Sequence, residues 1–175
     1  MIVQQYYETR LAEPADLLYK TFTVVSQGMP DFYREDTYSK NKLPVRKQYI
    51  NPDTILFYSP DGDCFVLSHL QDCCECVTVS DICGDLTDLQ DHPIIRAEAR
   101  SQKDDANFES GTWTFFEFAT VKGSVTIRFL GESNGYYSES ADVFRIINPN
   151  PQLVLRDESD DAAQSWLENK GAVGK

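Results

Sequence analysis

Cysteine is concentrated in one short stretch of the sequence, HLQDCCECVTVSDICGDL at residues 69–86, which holds four of the five cysteines and one of the two histidines. Thiolate and imidazole groups bind zinc in proteins, and a tetrahedral site needs four such ligands, with Zn–S distances of about 2.3 Å. Cys73 and Cys76 form a C-x-x-C pair, with His69 four residues before Cys73 and Cys83 seven residues after Cys76. These four residues are the candidate ligands if the stretch binds zinc.

Other roles for the same cysteines remain open. A catalytic C-x-x-C pair lies at the start of a helix, which lowers the pKa of its thiols, whereas Asp72 and Glu75 flank these thiols and Cys76 begins a strand-like run. A disulfide from Cys64 to Cys76 or Cys83 requires Cα atoms within about 6 Å. The simplest interpretation is structural, with buried cysteines that pin a tight turn into the core. We favour this interpretation and predict no catalytic residue, no cofactor and no bound metal.

The charge of the chain is acidic and unevenly distributed. The formal net charge is −12 and the sequence pI is about 4.5. Residues 1–50 hold six acidic and seven basic residues, residues 51–147 hold seventeen and six, and residues 148–175 hold five and three. Such a charge repels duplex DNA and anionic membranes, so neither is an expected partner. No apolar run approaches the length of a membrane span, and the start of the chain lacks the basic and apolar regions of a secretory signal.

The elements that must position the cysteines read as strands joined by turns. From Thr54 onwards, apolar runs are separated by turn residues: SPDG at 59–62, KG at 122–123 and NG at 134–135. Proline presets φ and glycine accepts a positive φ, so each of these signals predicts a reversal of the chain. The pattern indicates a sheet built from antiparallel hairpins.

The expected fold class is α+β, with a mostly antiparallel β-sheet and one short helix in the central part of the chain. The helix is predicted over GDLTDLQDH at residues 84–92, with Asp85 as its N-cap. We expect three parts: an aromatic N-terminal arm over residues 1–50, an acidic β-rich domain over 51–147, and a linker with a short amphipathic C-terminal helix over 148–175.

The run TWTFFEF in the central domain carries large aromatic side chains on both faces of a strand. Trp113, Phe115 and Glu117 share one face, because side chains alternate along a strand. Phe116 and Phe118 share the other. We therefore expect both faces to be covered, one by the core and one by the arm, the C-terminal helix or a partner.

Three segments taken together resemble one known family: DCCECVTVSDICGDL (72–86), HPIIRAEAR (92–100) and TWTFFEFATVKGSVTIRFLGESNGYYSES (112–140). They are similar to DUF7448, a small phage-encoded domain of unknown function, and the likeness covers roughly residues 54–147. The resemblance implies a bacteriophage origin and an α+β, mostly antiparallel domain. It implies no reaction, since the family has no assigned activity.

Exposed aromatic residues are the expected sites of contact with a partner. In GESNGYYSES, neighbouring tyrosines face opposite sides, so one of Tyr136 and Tyr137 should pack inward while the other is exposed. In the arm and the C-terminal helix, aromatic rings lack a core of their own to pack into. The expected partner-binding residues are Tyr6, Tyr7, Phe32, Tyr33, Tyr136, Tyr137 and Trp166.

These observations predict a non-enzymatic bacteriophage protein that acts through protein–protein contacts in an assembly. The expected role is a head or tail accessory or decoration component of the virion, made in the host cytoplasm, with other phage structural proteins or copies of itself as partners. One alternative is an intracellular phage inhibitor that uses its acidic surface against a host enzyme or defence system. Another is a small zinc-binding protein.

Overall fold

The computed structural model describes residues 8–31, 49–104, 109–147 and 149. The strands of these residues are β1 (Glu8–Ala12), β2 (Val24–Asp31), β3 (Tyr49–Tyr58), β4 (Cys64–Ser68), β5 (Cys76–Cys83), β6 (Arg96–Lys103), β7 (Ser110–Ala119), β8 (Ser124–Ser133) and β9 (Asp142–Ile147). Single 3-10 turns lie at Pro14–Leu17 and Leu86–Leu89.

The strands form two antiparallel sheets that face each other as a sandwich. One sheet has five strands in the order β1-β9-β4-β3-β2, and the other has four in the order β5-β8-β7-β6. The rings of Phe57 in β3 and Phe118 in β7 lie 5.0 Å apart between the sheets. The expected antiparallel sheet is therefore confirmed, in the form of two packed layers.

The core lies between the layers because β7 and β8 alternate buried and partly exposed side chains. Its buried members are Leu17, Phe22, Val25, Ile55, Phe57, Phe65, Leu67, Leu89, Ile94, Ala97, Phe116, Phe118, Val125, Ile127, Phe129, Ala141 and Val143. A second buried cluster occupies the opposite face of the five-stranded sheet and consists of Leu56, Cys64, Val66, Phe144 and Ile146. All five side chains of β4 are buried, since this strand contributes to both clusters.

Two of the expected turns close hairpins, and the third does not. Residues 59–63 join β3 to β4, and Gly62 adopts the positive φ of +99° that this turn requires. In the hairpin of β7 and β8, the Thr120 N–H donates to the Gly123 carbonyl at 3.0 Å. The turn at residues 134–135 instead begins a loop that crosses from β8 in one sheet to β9 in the other.

The helix expected over residues 84–92 is wrong in type. It is a single 3-10 turn, Leu86–Leu89, although its expected N-cap is confirmed: the Asp85 carboxylate accepts from the Thr87 N–H at 2.9 Å. The described residues contain no α-helix, so the part of the chain that they cover is all-β rather than α+β. These residues also contain no helix that is long and apolar enough to cross a membrane. The expected C-terminal helix lies outside the described residues.

Much of the expected N-terminal arm belongs to the sandwich. Strand β1 pairs with β9 and β2 pairs with β3, so residues 8–31 supply a strand at each edge of the five-stranded sheet. Phe22 is fully buried, and its ring lies 5.4 Å from that of Phe57 and 6.0 Å from that of Phe65. This aromatic side chain therefore packs into the core of its own domain rather than against a neighbouring copy.

Candidate functional site

Two loops cross between the sheets at the same end of the sandwich. The cysteine loop (residues 69–75) joins β4 to β5, and the tyrosine loop (residues 134–141) joins β8 to β9. Because β4 pairs with β9 and β5 pairs with β8, the two crossings lie side by side. We call this pair of loops the tip.

A buried carboxylate holds the cysteine loop in shape. Glu75 is 1% exposed, and its side chain accepts the backbone N–H groups of Asp72 and, at 2.9 Å, of Cys73. The Gln71 side chain donates to the Glu75 carbonyl at 3.1 Å. The N–H of Asp72 is the main reason that the pKa of Glu75 falls to about 2, against the opposing effect of burial. The loop is thus built around an ionised glutamate.

His69 links the two loops. Its Nδ1 lies 2.8 Å from the carbonyl oxygen of Ser140, and its Nε2 lies 3.1 Å from Oε1 of Glu75. Both neighbouring atoms are hydrogen-bond acceptors, so both ring nitrogens face groups of the tip itself.

A second buried carboxylate, that of Glu139, anchors the tyrosine loop to the strands below it. It accepts from the hydroxyls of Thr112 at 2.8 Å and Ser133 at 2.5 Å, and from Nζ of Lys103 at 3.3 Å. Burial alone would raise the pKa of Glu139, but hydrogen bonds from Ser110, Ser133, Thr112 and Lys103 lower it to about 2. This carboxylate therefore stays ionised and fixes the loop.

Gly131 in β8 allows the tyrosine loop to lie close to the sheet. A Cβ at this position would overlap the carbonyl group of Glu139. Because the obstacle is backbone rather than a mobile side chain, no larger residue fits here without moving the loop. Gly131 and Glu139 therefore both keep the tyrosine loop close to β8.

The tip presents aromatic and thiol groups to solvent. Tyr136 is 84% exposed and Tyr137 is half-buried, with their rings packed edge to face at 5.1 Å. Tyr136 is exposed, as expected of one of the two tyrosines, but Tyr137 does not pack inward: it lies in a loop rather than a strand, and its ring contacts that of Tyr136. Cys73 and Cys74 are also exposed, and their Sγ atoms lie 2.7 Å apart. The pKa of Tyr137 is raised, first by its hydrogen-bonding interaction with the Cys73 side chain.

The structure does not bring the four candidate zinc ligands together. Cys76 and Cys83 begin and end β5, and a rise of about 3.3 Å per residue separates them by roughly 20 Å. His69 is engaged by the two acceptors described above. In the described parts of the chain, no group of three or more histidine, cysteine or acidic side chains could hold a metal ion.

The structural interpretation of the clustered cysteines, as buried residues that pin a tight turn, is wrong for all four. Cys64 is buried in the second cluster, and burial raises the pKa of its thiol to about 12. Cys73, Cys74, Cys76 and Cys83 are exposed, and all five cysteines are free. The turn is fixed by the Glu75 carboxylate and not by buried sulfur, because that carboxylate satisfies the backbone N–H groups that the turn leaves unpaired.

The outer face of the four-stranded sheet carries a group of arginine, aromatic and carboxylate side chains in contact with one another. The guanidinium of Arg100 lies 4.9 Å from the ring centroid of Phe115, and that of Arg128 lies 5.7 Å from the ring of Trp113. Both rings are only half-buried. The C-terminal helix and part of the arm, two of the expected covers of this face, lie outside the described residues, so its full coverage stays a prediction.

Carboxylates on the same face pair with its arginines. Glu117 accepts from Arg96 at 2.6 Å and from Arg100 at 3.1 Å, and Asp81 pairs with Arg128. Sequence reasoning missed these arginines because their positions opposite the aromatic rings depend on the register of β6, β7 and β8.

Of the residues expected to bind a partner, five lie outside the described residues: Tyr6, Tyr7, Phe32, Tyr33 and Trp166.

Comparison with known proteins places the chain in a family. Residues 15–143 match the family model described as a domain of unknown function, DUF7448. No curated protein and no solved structure matches the chain. The matched region begins before β2 and ends within β9, so it takes in the buried N-terminal residues as well as both loops of the tip. The chain therefore belongs to the DUF7448 family.

Proposed function

We propose that this chain is a phage-encoded, non-enzymatic protein that works by protein–protein contact inside an assembly, as a head or tail accessory component. The tip is its contact surface. The observation that carries the proposal is Tyr136, which is 84% exposed on a loop whose base is fixed by a buried, ionised glutamate.

An exposed aromatic ring on a fixed loop has the properties of a binding anchor. Tyrosine is enriched among the residues that dominate protein interfaces. Burying a large apolar side chain contributes about 1.5–3 kcal/mol, and a loop that is already ordered loses little conformational entropy on binding. The edge-to-face contact of Tyr136 with Tyr137 further restricts the exposed ring.

The acidic groups of the tip favour a structural role over an enzymatic one. Glu75 and Glu139 both have a pKa lowered to about 2, and their oxygens accept several hydrogen bonds. A general acid or base works best with a pKa near the operating pH. Their pKa values lie far below neutral pH, so these two carboxylates are poorly suited to proton transfer. Their hydrogen bonds instead hold the two loops in place.

The alternative of a nucleic-acid mimic has weaker support. An inhibitor of this kind needs uncompensated negative charge on one surface. On the outer face of the four-stranded sheet, Asp81 and Glu117 are paired with arginines. This pairing of charges favours the contact function of the tip over the acidic-inhibitor alternative.

The test is a photo-crosslinking experiment in infected cells. A photoreactive phenylalanine derivative replaces Tyr136 in one variant and Tyr19 in the control, because Tyr19 is 80% exposed but lies outside the tip. We expect the variant at position 136, and not the one at 19, to crosslink to a phage structural protein or a second copy of the chain. The chain should also appear in a mass-spectrometric inventory of purified virions.

Two results would refute the proposal: absence of the chain from virions, or equal crosslinking at both positions. Salt dependence separates the contact function from the acidic-inhibitor alternative. A contact made by aromatic rings should weaken little as salt rises, whereas binding through the net negative charge should weaken steeply.

A further inference from the structure

Two exposed thiols lie in contact on the cysteine loop. Cys73 and Cys74 are free, solvent-exposed and adjacent in sequence, and their sulfur atoms are 2.7 Å apart. The loop itself is fixed beneath them, since the Cys73 N–H donates to the buried Glu75 carboxylate at 2.9 Å. The two side chains thus point the same way from a rigid backbone, and both are open to small molecules.

We propose that Cys73 and Cys74 form a modification site at which a hydroperoxide oxidises the two thiols to a reversible vicinal disulfide. The first thiol loses its proton and attacks the peroxide, which breaks the O–O bond, gives a sulfenic acid and releases an alcohol or water. The second thiol attacks the sulfenic sulfur, forming the S–S bond and releasing water. Two thiols lose two electrons and two protons, and one hydroperoxide is reduced.

The environment of the pair makes its oxidation depend on pH. The pKa of Cys74 is raised, first by its hydrogen bond with Cys73, then by electrostatic interaction with Cys73, burial and Glu75. Because the thiolate is the nucleophile, deprotonation of a thiol precedes attack on the peroxide. We expect the reaction to accelerate as pH rises above neutrality.

A disulfide at this site would be easily reduced. Adjacent Cα atoms are about 3.8 Å apart across a trans peptide, whereas disulfides usually join Cα atoms at about 4.4–6.8 Å. The resulting strain raises the reduction potential, and strained, exposed disulfides are the labile ones. The site is therefore suited to reversible modification and not to permanent stabilisation.

Oxidation should also change the pKa of the neighbouring Tyr137. The raised pKa of Tyr137 has its main cause in the Cys73 side chain. A disulfide cannot ionise, so the pKa of Tyr137 should move back towards its ordinary value after oxidation. Any effect on partner binding rests on the proposed contact function of the tip, but the oxidation itself does not.

The test uses the full chain with Cys76→Ser and Cys83→Ser, which removes the other exposed thiols and leaves buried Cys64 as an internal control. The protein is treated with hydrogen peroxide at a small molar excess, and its intact mass is measured before and after addition of dithiothreitol. We expect the loss of two hydrogen atoms per chain, restored by the reductant. Adding Cys73→Ser or Cys74→Ser to this background should abolish that loss.

Three outcomes would overturn the inference. One is a gain of oxygen atoms in place of the loss of hydrogens, another is a disulfide-linked dimer, and the third is an unchanged mass at peroxide concentrations that oxidise a free cysteine peptide. None of these outcomes bears on crosslinking at Tyr136, so failure of this inference is distinguishable from failure of the proposed function.

Discussion

Replacing the buried Glu139 carboxylate by an amide tests how the tyrosine loop is held. In Glu139→Gln, the hydroxyls of Thr112 and Ser133 lose a charged acceptor. A hydrogen bond to a charged group contributes about 1.5–3 kcal/mol. The ion pair with Lys103 adds little, because that side chain is 67% exposed. The amide keeps one acceptor oxygen, so we expect a loss of about 2–3 kcal/mol in the free energy of unfolding.

Urea unfolding at neutral pH, followed by fluorescence, measures this loss directly. For a chain of this length, 1 kcal/mol corresponds to about 2–4 °C in the thermal midpoint, so Glu139→Gln should lower the midpoint by about 5–10 °C. Glu98→Gln is the matched control, since its carboxylate is 63% exposed and its pairing with Arg96 should contribute little.

A double-mutant cycle with Thr112→Val separates the proposed contact from general effects of the substitution. The two side chains are joined by a buried hydrogen bond of 2.8 Å, so the coupling energy should reach at least about 1 kcal/mol. The reasoning is refuted if Glu139→Gln changes stability by less than about 0.5 kcal/mol, or if the two substitutions are additive.

Three further predictions concern the same fold. Gly131→Ala should destabilise the protein by about 3 kcal/mol or more, because its Cβ overlaps the Glu139 carbonyl, and urea unfolding measures this. Phe22→Ala should cost about 3–5 kcal/mol in the same assay, since its fully buried ring contacts two others in the core. The pKa values of Glu75 and Glu139 are depressed to about 2, so their contribution to stability should be complete above pH 4.5 and lost as pH falls towards 2.

Two of these predictions have controls of their own. Tyr19→Ala removes an exposed ring from the same segment as Phe22 and should change stability by less than about 0.5 kcal/mol. In the double variant Glu75→Gln with Glu139→Gln, the free energy of unfolding should fall less steeply as pH drops below 4.5, the acid limb of the stability curve. Asp142 acts in the opposite direction, because burial raises its pKa. An unaltered acid limb in the double variant would show that the two glutamates are not its cause.

The hairpins were predictable from the sequence, but the division into two sheets was not. The SPDG turn at residues 59–62 determines local pairing through the φ preferences of its own residues. Strand β1 pairs with β9, which places Glu8 opposite Ile147. No local sequence pattern identifies a pairing strand so far away in the chain. The short apolar runs of the N-terminal segment were therefore interpreted as an arm.

The tip was predicted only in part, for the same physical reason. The sequence predicted that one of the two tyrosines is exposed, and Tyr136 is exposed, but the strand alternation behind that prediction does not apply, because the two rings contact each other in a loop. The sequence gives no sign that Glu75 and Glu139 are buried, because glutamate is among the residues least often buried. Their burial depends on donors from several elements, which become neighbours only after the sheets have packed.

The links between the two loops determine what a variant of the tip can reveal. His69 bonds the Glu75 side chain in one loop and the Ser140 carbonyl in the other, so the loops form one hydrogen-bonded unit. A change at Glu139 should therefore alter both stability and partner binding. Tyr136 contacts Tyr137 but projects into solvent, so its removal should weaken binding while leaving the unfolding transition unchanged. A contact function predicts this separation of effects, whereas a purely structural role for the tyrosine loop does not.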